Sequence, residues 1–220
     1  MANRRPASDD VGSDIRFEPH PVRRWREAER ITLDGRTLQP NGWIDAVAPG
    51  RGGGWIVADS ANGELVEVDR EGRRSGTYGG IPRPDAAPSA LEPDGDDLWV
   101  LEQSRHRLTR LGRGGVRQPL ALQDDGEGLP RFPSAAAVCR AQGWVAIADF
   151  GNHRVQRFAL ADGAALGAFA PAEAGPDRPV QLMDLAVSPD CSKLYLVDSK
   201  GDRLLVTTPE GELLREVHAW

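Results

Sequence analysis

A fourfold internal repeat constrains this chain more than any other feature. The segments "VADSANGELVEV" from Val57, "VLEQSRHRLTRL" from Val100, "IADFGNHRVQRF" from Ile147 and "LVDSKGDRLLVT" from Leu196 align without gaps. Each has an acid at its third position, Asp59, Glu102, Asp149 or Asp198, at spacings of 43, 47 and 49 residues. Five residues after the acid stands Glu64, Arg107, Arg154 or Arg203, and six after it Leu65, Leu108, Val155 or Leu204. A glycine closes each unit at Gly72, Gly115, Gly163 and Gly211, and a proline opens each at Pro40, Pro88, Pro133 and Pro179. Two marks recurring in phase indicate stacked units that cannot bury their apolar faces alone.

Each unit reads as four short strands. The first is the apolar run after the proline ("GWIDAVAP", "SALEP", "SAAAVC", "QLMDLAVSP"), and the second ends in the acid. The third begins at the arginine position, and the fourth is a closing run such as "VRQPLAL" or "AALGAFA". Gly, Pro, Asn and Asp bound these runs, and none sustains a helical period. Four-stranded units of about 40–50 residues are propeller blades in sequence. The predicted fold is therefore all-β, a β-propeller of four-stranded antiparallel blades at about 41–80, 86–122, 132–170 and 179–220. Residues 1–40 form a partly disordered extension in which "RRWREAERITLDG" supplies one or two strands, with Asp34-Gly35 as the turn. Four units predict a small ring, an open arc or a truncated relative. An arc exposes apolar faces and strand edges, which predicts a protein partner or self-association.

"IADFGNHRVQRF", and more loosely "VADSANGELVEV", resemble the NHL repeat: a small apolar pair, Asp, two variable residues, Asn, one variable residue, Arg, an aliphatic residue and then an aromatic. The resemblance covers residues 41–220 and is strongest in the third unit. Glu64 stands for the arginine in the first unit, Glu102 and Arg105 for Asp and Asn in the second, and Gly201 for Asn in the fourth. "SPDCSKLYLVD" resembles the phrase that opens a strand in related propellers, with Cys191 where a turn glycine is usual. The resemblance implies a propeller, most often six-bladed, serving as a non-enzymatic binding or scaffolding module. It also implies an alternative, a divalent-metal lyase or lactonase with its site at the channel mouth, and a weaker one, binding of RNA or another polyanion.

The dense polar chemistry of the repeat has a structural reading. The acid–arginine pairs Glu102–Arg107, Asp149–Arg154 and Asp198–Arg203 are expected to face each other across a hairpin, with the Asn capping the turn. Repeating units reuse stabilising contacts, whereas functional sites are rarely copied four times. His106 and His153 hold one motif position in successive units. Packed sheets lie about 10 Å apart, whereas zinc–nitrogen bonds are about 2.0–2.1 Å, so both read as turn residues. His20 and His218 meet only if the ring closes.

The catalytic candidates are Asp45 and Asp184, near the start of innermost strands where the resemblance implies metal ligands; Ser89 and Ser134 follow the proline in the other two units. No third ligand of matching type accompanies them, and no cofactor is predicted beyond that divalent metal. For anion binding the candidates are Arg105, Arg107, Arg110, Arg113 and Arg117, in a stretch with no acid and no interleaved aromatic to stack bases. "DGDD" and "QDDGEG" read as solvated turns, and Trp55, Trp99 and Trp144 as packing between blades.

A net charge of −6 and a pI near 5.3 disfavour nucleic acid as the main partner. Only Lys193 and Lys200 of the 27 basic residues are lysines, a bacterial-like composition without functional weight. There is no phosphate loop, G-x-S-x-G, H-E-x-x-H or C-x-x-C. The N-terminal residues lack an apolar secretory core and no run is long enough to span a membrane, so a soluble, cytoplasmic protein is expected, or an extracytoplasmic one if the N-terminus is incomplete. Cys139 and Cys191 are expected as free thiols, with a single bridge as the alternative.

Overall fold

Each repeat folds into one four-stranded antiparallel sheet whose strands follow chain order. The computed structural model describes residues 32–33, 36–37, 44–59, 64–80, 88–112, 115, 117–124, 126–171 and 180–218, without the side chains of 32, 33, 36, 37, 44, 45, 59, 79 and 80. In the extension, β1 (Thr32–Leu33) pairs with β2 (Arg36–Thr37), and the expected Asp34-Gly35 turn lies outside the described residues. Blade 1 comprises β3 (Ile44–Pro49), β4 (Trp55–Asp59), β5 (Glu64–Val68) and β6 (Arg74–Gly80). Blade 2 comprises β7 (Pro88–Asp94), β8 (Asp97–Glu102), β9 (Arg107–Leu111) and β10 (Arg117–Pro119). Blade 3 comprises β11 (Ala135–Cys139), β12 (Trp144–Asp149), β13 (Arg154–Ala159) and β14 (Ala165–Phe169). Blade 4 comprises β15 (Leu182–Val187), β16 (Leu194–Asp198), β17 (Arg203–Thr207) and β18 (Leu213–His218).

The repeat acid and the residue five later are direct cross-strand partners in every blade: Asp59 with Glu64, Glu102 with Arg107, Asp149 with Arg154, and Asp198 with Arg203. The residue ahead of the arginine turns the chain in left-handed conformation, with φ of 53° at His106, 58° at His153 and 47° at Asp202. A second regularity was not legible in the sequence. The ladder between first and second strands slips at Asp45, Ser89 and Met183, so each inner strand of blades 1, 2 and 4 starts with a bulge.

Three apolar seams hold the blades together. Ala48, Ile56, Ala58 and Leu65 of blade 1 meet Leu91, Leu98, Val100 and Leu111 of blade 2. Trp99, Leu101 and Leu108 meet Ala136, Val145, Ile147 and Phe158. Ala135, Ala137, Ala146, Ala148 and Val155 of blade 3 meet Leu182, Leu185, Leu194, Leu196 and Leu205 of blade 4. The innermost strands run in succession, β3 on β7, β7 on β11 and β11 on β15. Among the described residues, no strand of blade 4 packs on blade 1 in this way, so the four blades form an open arc.

Burial shows where the arc ends. Every residue of β12 is buried, because blade 3 is covered on both faces. Along β16 buried and accessible residues alternate, although "LYLVD" is as apolar as a strand covered on both sides.

Candidate functional site

The repeat acids are structural hubs. Asp149, fully buried, accepts hydrogen bonds from the Arg131 N–H (2.7 Å), Asn152 Nδ2 (2.8 Å) and Arg154 Nε (2.9 Å). Asp198 accepts from the Gln181 N–H (3.0 Å), the Lys200 N–H (3.2 Å) and Arg203 Nε (2.9 Å). Burial raises the Asp198 pKa, but the donors, led by the Gln181 N–H and Arg203, outweigh it and hold the carboxyl below its ordinary range. Glu102, one methylene longer, reaches Arg107 Nη2 (2.9 Å) and the buried Thr109 hydroxyl (2.7 Å). Burial raises it too, and these hydrogen bonds bring it below the usual value. Each acid thus ties its hairpin together, and in blades 3 and 4 it also fixes the chain entering the inner strand.

His106 and His153 do more than turn the chain. His106 Nδ1 donates to the Pro130 carbonyl (3.1 Å) and His153 Nδ1 to the Val180 carbonyl (2.9 Å), each at the start of the following blade. Ser89 Oγ reaches the Pro133 carbonyl (2.9 Å) and Ser134 Oγ the Leu182 carbonyl (2.6 Å) in the same direction. A Ser latch and a His latch therefore cross each of the two later seams. Blade 4 carries Met183 and Asp202 at these two positions.

The candidate metal residues are not repeat equivalents. Asp45 occupies the bulge position of Ser89 and Met183, and its side chain lies outside the described residues. Asp184 takes the next position, equivalent to Ala46, Ala90 and Ala135, because each pairs with the residue before the repeat acid. Its Oδ1 accepts the Leu185 N–H at 2.9 Å. Among the described residues, which do not include the Asp45 side chain, no three His, Cys, Asp or Glu side chains converge as a metal site.

A different acid stands out on the inner strands. Burial pushes the Glu92 carboxyl up to about 7; the Val138 N–H and Arg140 oppose the rise and Asp184 adds to it. Glu92 on β7, Arg140 just past β11 and Asp184 on β15 come from three successive blades. Arg140 Nε also pairs with Asp94 (3.1 Å), so the "DGDD" turn joins blade 2 to blade 3 instead of being merely solvated.

Most of the arginine stretch is paired within the chain. Arg105 and Arg107 share Glu102, and Arg110 pairs with Asp97 at 2.9 Å while lying over the Trp99 ring. Burial lowers the Arg117 pKa, and Arg113 lies outside the described residues. Trp99 and Trp144 are buried in seams, but Trp55 is 52% exposed. The three lie four, three and five residues before their acids, and the even step of Trp55, against odd steps for the other two, turns it to the opposite face of its blade.

Cys139 and Cys191 form a disulfide, in place of the expected free thiols, across the seam between blades 3 and 4. Cys191 sits at φ 60°, the left-handed conformation that a glycine would supply. No helix among the described residues is long and apolar enough to cross a membrane.

No known family model matches the chain, and no curated protein does. Among solved structures it is similar to a streptogramin B lyase, with 16% identity and a TM-score of 0.59 over 80% of this chain and 54% of that one. It is also similar to selenomethionine-substituted virginiamycin B lyase from Staphylococcus aureus, with 16% identity and a TM-score of 0.60 over 83% of this chain and 57% of that one. A catalytically inactive variant of that lyase with quinupristin gives 13% identity and a TM-score of 0.60, with the same coverage. The chain spans little more than half the length of these structures, and at such identities the likeness is one of propeller fold.

Proposed function

We propose that this chain is a non-enzymatic, NHL-type propeller module that docks a protein partner on the uncovered face of its last blade. One repeat position carries the reading. Leu65, Leu108 and Val155, six residues after their acids, are fully buried in seams, whereas Leu204 at that position is apolar and only partly covered. Beside it on the same face stands Val197, 39% exposed, where Ala58, Leu101 and Ala148 are buried in the other blades. A face patterned for burial and left uncovered among the described residues supports this docking reading. The shared hairpin lock of Asp149, Asn152 and Arg154 supports the NHL reading. The disulfide between Cys139 and Cys191 supports an oxidising compartment over the cytoplasm. The test is a photo-crosslinking residue at Tyr195, on this face, with the exposed Asp162 as control. Adducts from native extract at Tyr195 alone, lost in Leu204→Glu, are expected; their absence overturns the reading.

Glu92 favours a second reading. The structural neighbours are lyases, and a carboxyl titrating near neutrality is poised to give or take a proton. In this reading Glu92 exchanges the proton and Arg140 offsets negative charge beside it. The metal-dependent form would rest on Asp45 and Asp184. Metal analysis of the purified chain, with Glu92→Gln, Asp45→Ala and Asp184→Ala, tests both forms. A metal-free protein whose function survives all three substitutions is not an enzyme of this kind.

A further inference from the structure

The hairpin locks differ in charge from blade to blade. In blade 3, Arg154 meets two acids, Asp149 at 2.9 Å and Glu127 at 3.8 Å; in blade 4, Arg203 meets Asp198 at 2.9 Å and Glu216 at 2.8 Å. Blade 2 reverses the balance. Its one lock acid, the buried Glu102, takes both Arg107 at 2.9 Å and Arg105 at 3.3 Å. Where the outer strand of blade 4 brings up an acid, Glu216, that of blade 2 brings up a third arginine, Arg117. Residues paired directly across a ladder point to one face, as do residues two apart along a strand. Glu102 pairs with Arg107 and Leu111 with Arg117, so the acid and both arginines share a face. Among the described residues no carboxylate forms an ion pair with Arg117. Burial lowers its pKa, Glu102 opposes the fall, and Arg107 and Arg105 add to it by repulsion. Arg107 Nε is itself buried without a hydrogen-bond partner.

We infer that Arg105, Arg107 and Arg117 form a binding site for a phosphate monoester at the edge of the seam between blades 1 and 2. Three guanidiniums around one carboxylate leave two positive charges uncompensated, and partly buried charge without a partner is costly. A monoester carries a charge of about −1.5 to −2 near neutral pH, whereas a carboxylate or a phosphodiester carries one. Its oxygens also match the planar guanidinium fork. Leu98, Val100 and Leu111 on the same face pack against blade 1, while Arg105 and Arg107 keep 27% and 34% of their side chains exposed. The cluster is therefore half-covered and still open to a ligand, in a cleft between packed units where small ligands bind. Arg110 is not part of it, because it points to the other face, where it pairs with Asp97 and lies over Trp99. No aromatic residue occurs between Ser104 and Arg117 to stack a base, which favours a monoester over a single-stranded nucleic acid. The site lies on blade 2, so its failure leaves the docking reading for blade 4 untouched.

Isothermal titration calorimetry of the full chain with phenyl phosphate, at low salt and slightly above neutral pH, tests this. One molecule is expected to bind per chain, with benzoate at least about tenfold weaker because it carries a single charge. Arg117→Gln should weaken phenyl phosphate binding about tenfold or more. The thermal midpoint should not fall in this variant, since Arg117 takes no part in the hairpin lock. Arg73→Gln, on an exposed turn of blade 1, should leave binding unchanged. A phosphoserine peptide that binds more tightly than phenyl phosphate identifies a phosphorylated chain as the source of the monoester; one that binds no better identifies a small phosphorylated molecule. No heat with either phosphate probe, benzoate binding as tight as phenyl phosphate, or an affinity indifferent to Arg117→Gln overturns the site. A 5′-hydroxyl oligoribonucleotide that binds more tightly than both probes overturns the monoester in favour of a polyanion.

Discussion

At Asp149 one buried carboxylate satisfies a backbone N–H, an amide and a guanidinium. Asp149→Asn keeps the shape but leaves Arg154, 11% exposed, with only the exposed Glu127 at 3.8 Å as a counter-charge. Removing one partner of such a pair costs about 3–5 kcal/mol, measurable by urea unfolding. Glu92 gives a prediction of opposite character. Its pKa is raised in the fold to about 7 from 4.5, so the stability it contributes is full below the unfolded value and is lost as pH rises through 7. Glu92→Gln should therefore flatten the fall in stability between those values, by at most about 3 kcal/mol. An unchanged pH profile would remove Glu92 from consideration as a perturbed acid. Residue identities carried the Asp149 hub in the sequence, because all its side-chain partners lie within five residues. Glu92 was invisible there, because its environment comes from Val138, Arg140 and Asp184, on two other blades.

At the scale of strands and turns, Gly72, Gly115, Gly163 and Gly211 each close one unit and all have positive φ. Their surroundings differ. A Cβ on Gly72 meets nothing, whereas one on Gly163 would lie 2.1 Å from the Ala121 carbonyl oxygen, on the chain arriving from blade 2. Gly72→Ala should cost about 1 kcal/mol from backbone strain alone. Gly163→Ala should cost about 2–4 kcal/mol, because the backbone must also shift. Equal thermal midpoints for the two variants would refute the close approach. The sequence made the blades readable because strand, turn and cross-strand pair are all local. It did not show that Asp45 and Asp184 stand at different repeat positions, because a bulge of one residue moves a side chain to a different register position.

At the scale of the whole molecule, the seams between blades set stability. The Cys139–Cys191 bridge closes a loop with a sequence separation of 52 residues and staples blade 4 to blade 3. Loop-closure entropy assigns such a bridge about 4 kcal/mol. Cys139→Ser with Cys191→Ser should lower stability by about 3–4 kcal/mol and free blade 4 first, seen as early loss of amide protection in β15–β18. Uniform loss of protection across all four blades would show that the bridge does not act at this seam.

The repeat alone showed four blades, the strand order within each and the polar locks of the hairpins in blades 2 to 4. These follow from contacts between residues about five apart, and the chain repeats them. Tertiary structure alone decided which faces are covered. The same aliphatic position is core at Val155, which blade 4 covers, and accessible at Leu204, which no described blade covers. It also decided that two cysteines 52 residues apart meet, that Trp55 faces outward while Trp99 and Trp144 face a seam, and that the four described blades follow one another in an arc. Local sequence specifies pairing within a sheet, whereas the covering of one sheet by another depends on chain tens of residues away or on another molecule.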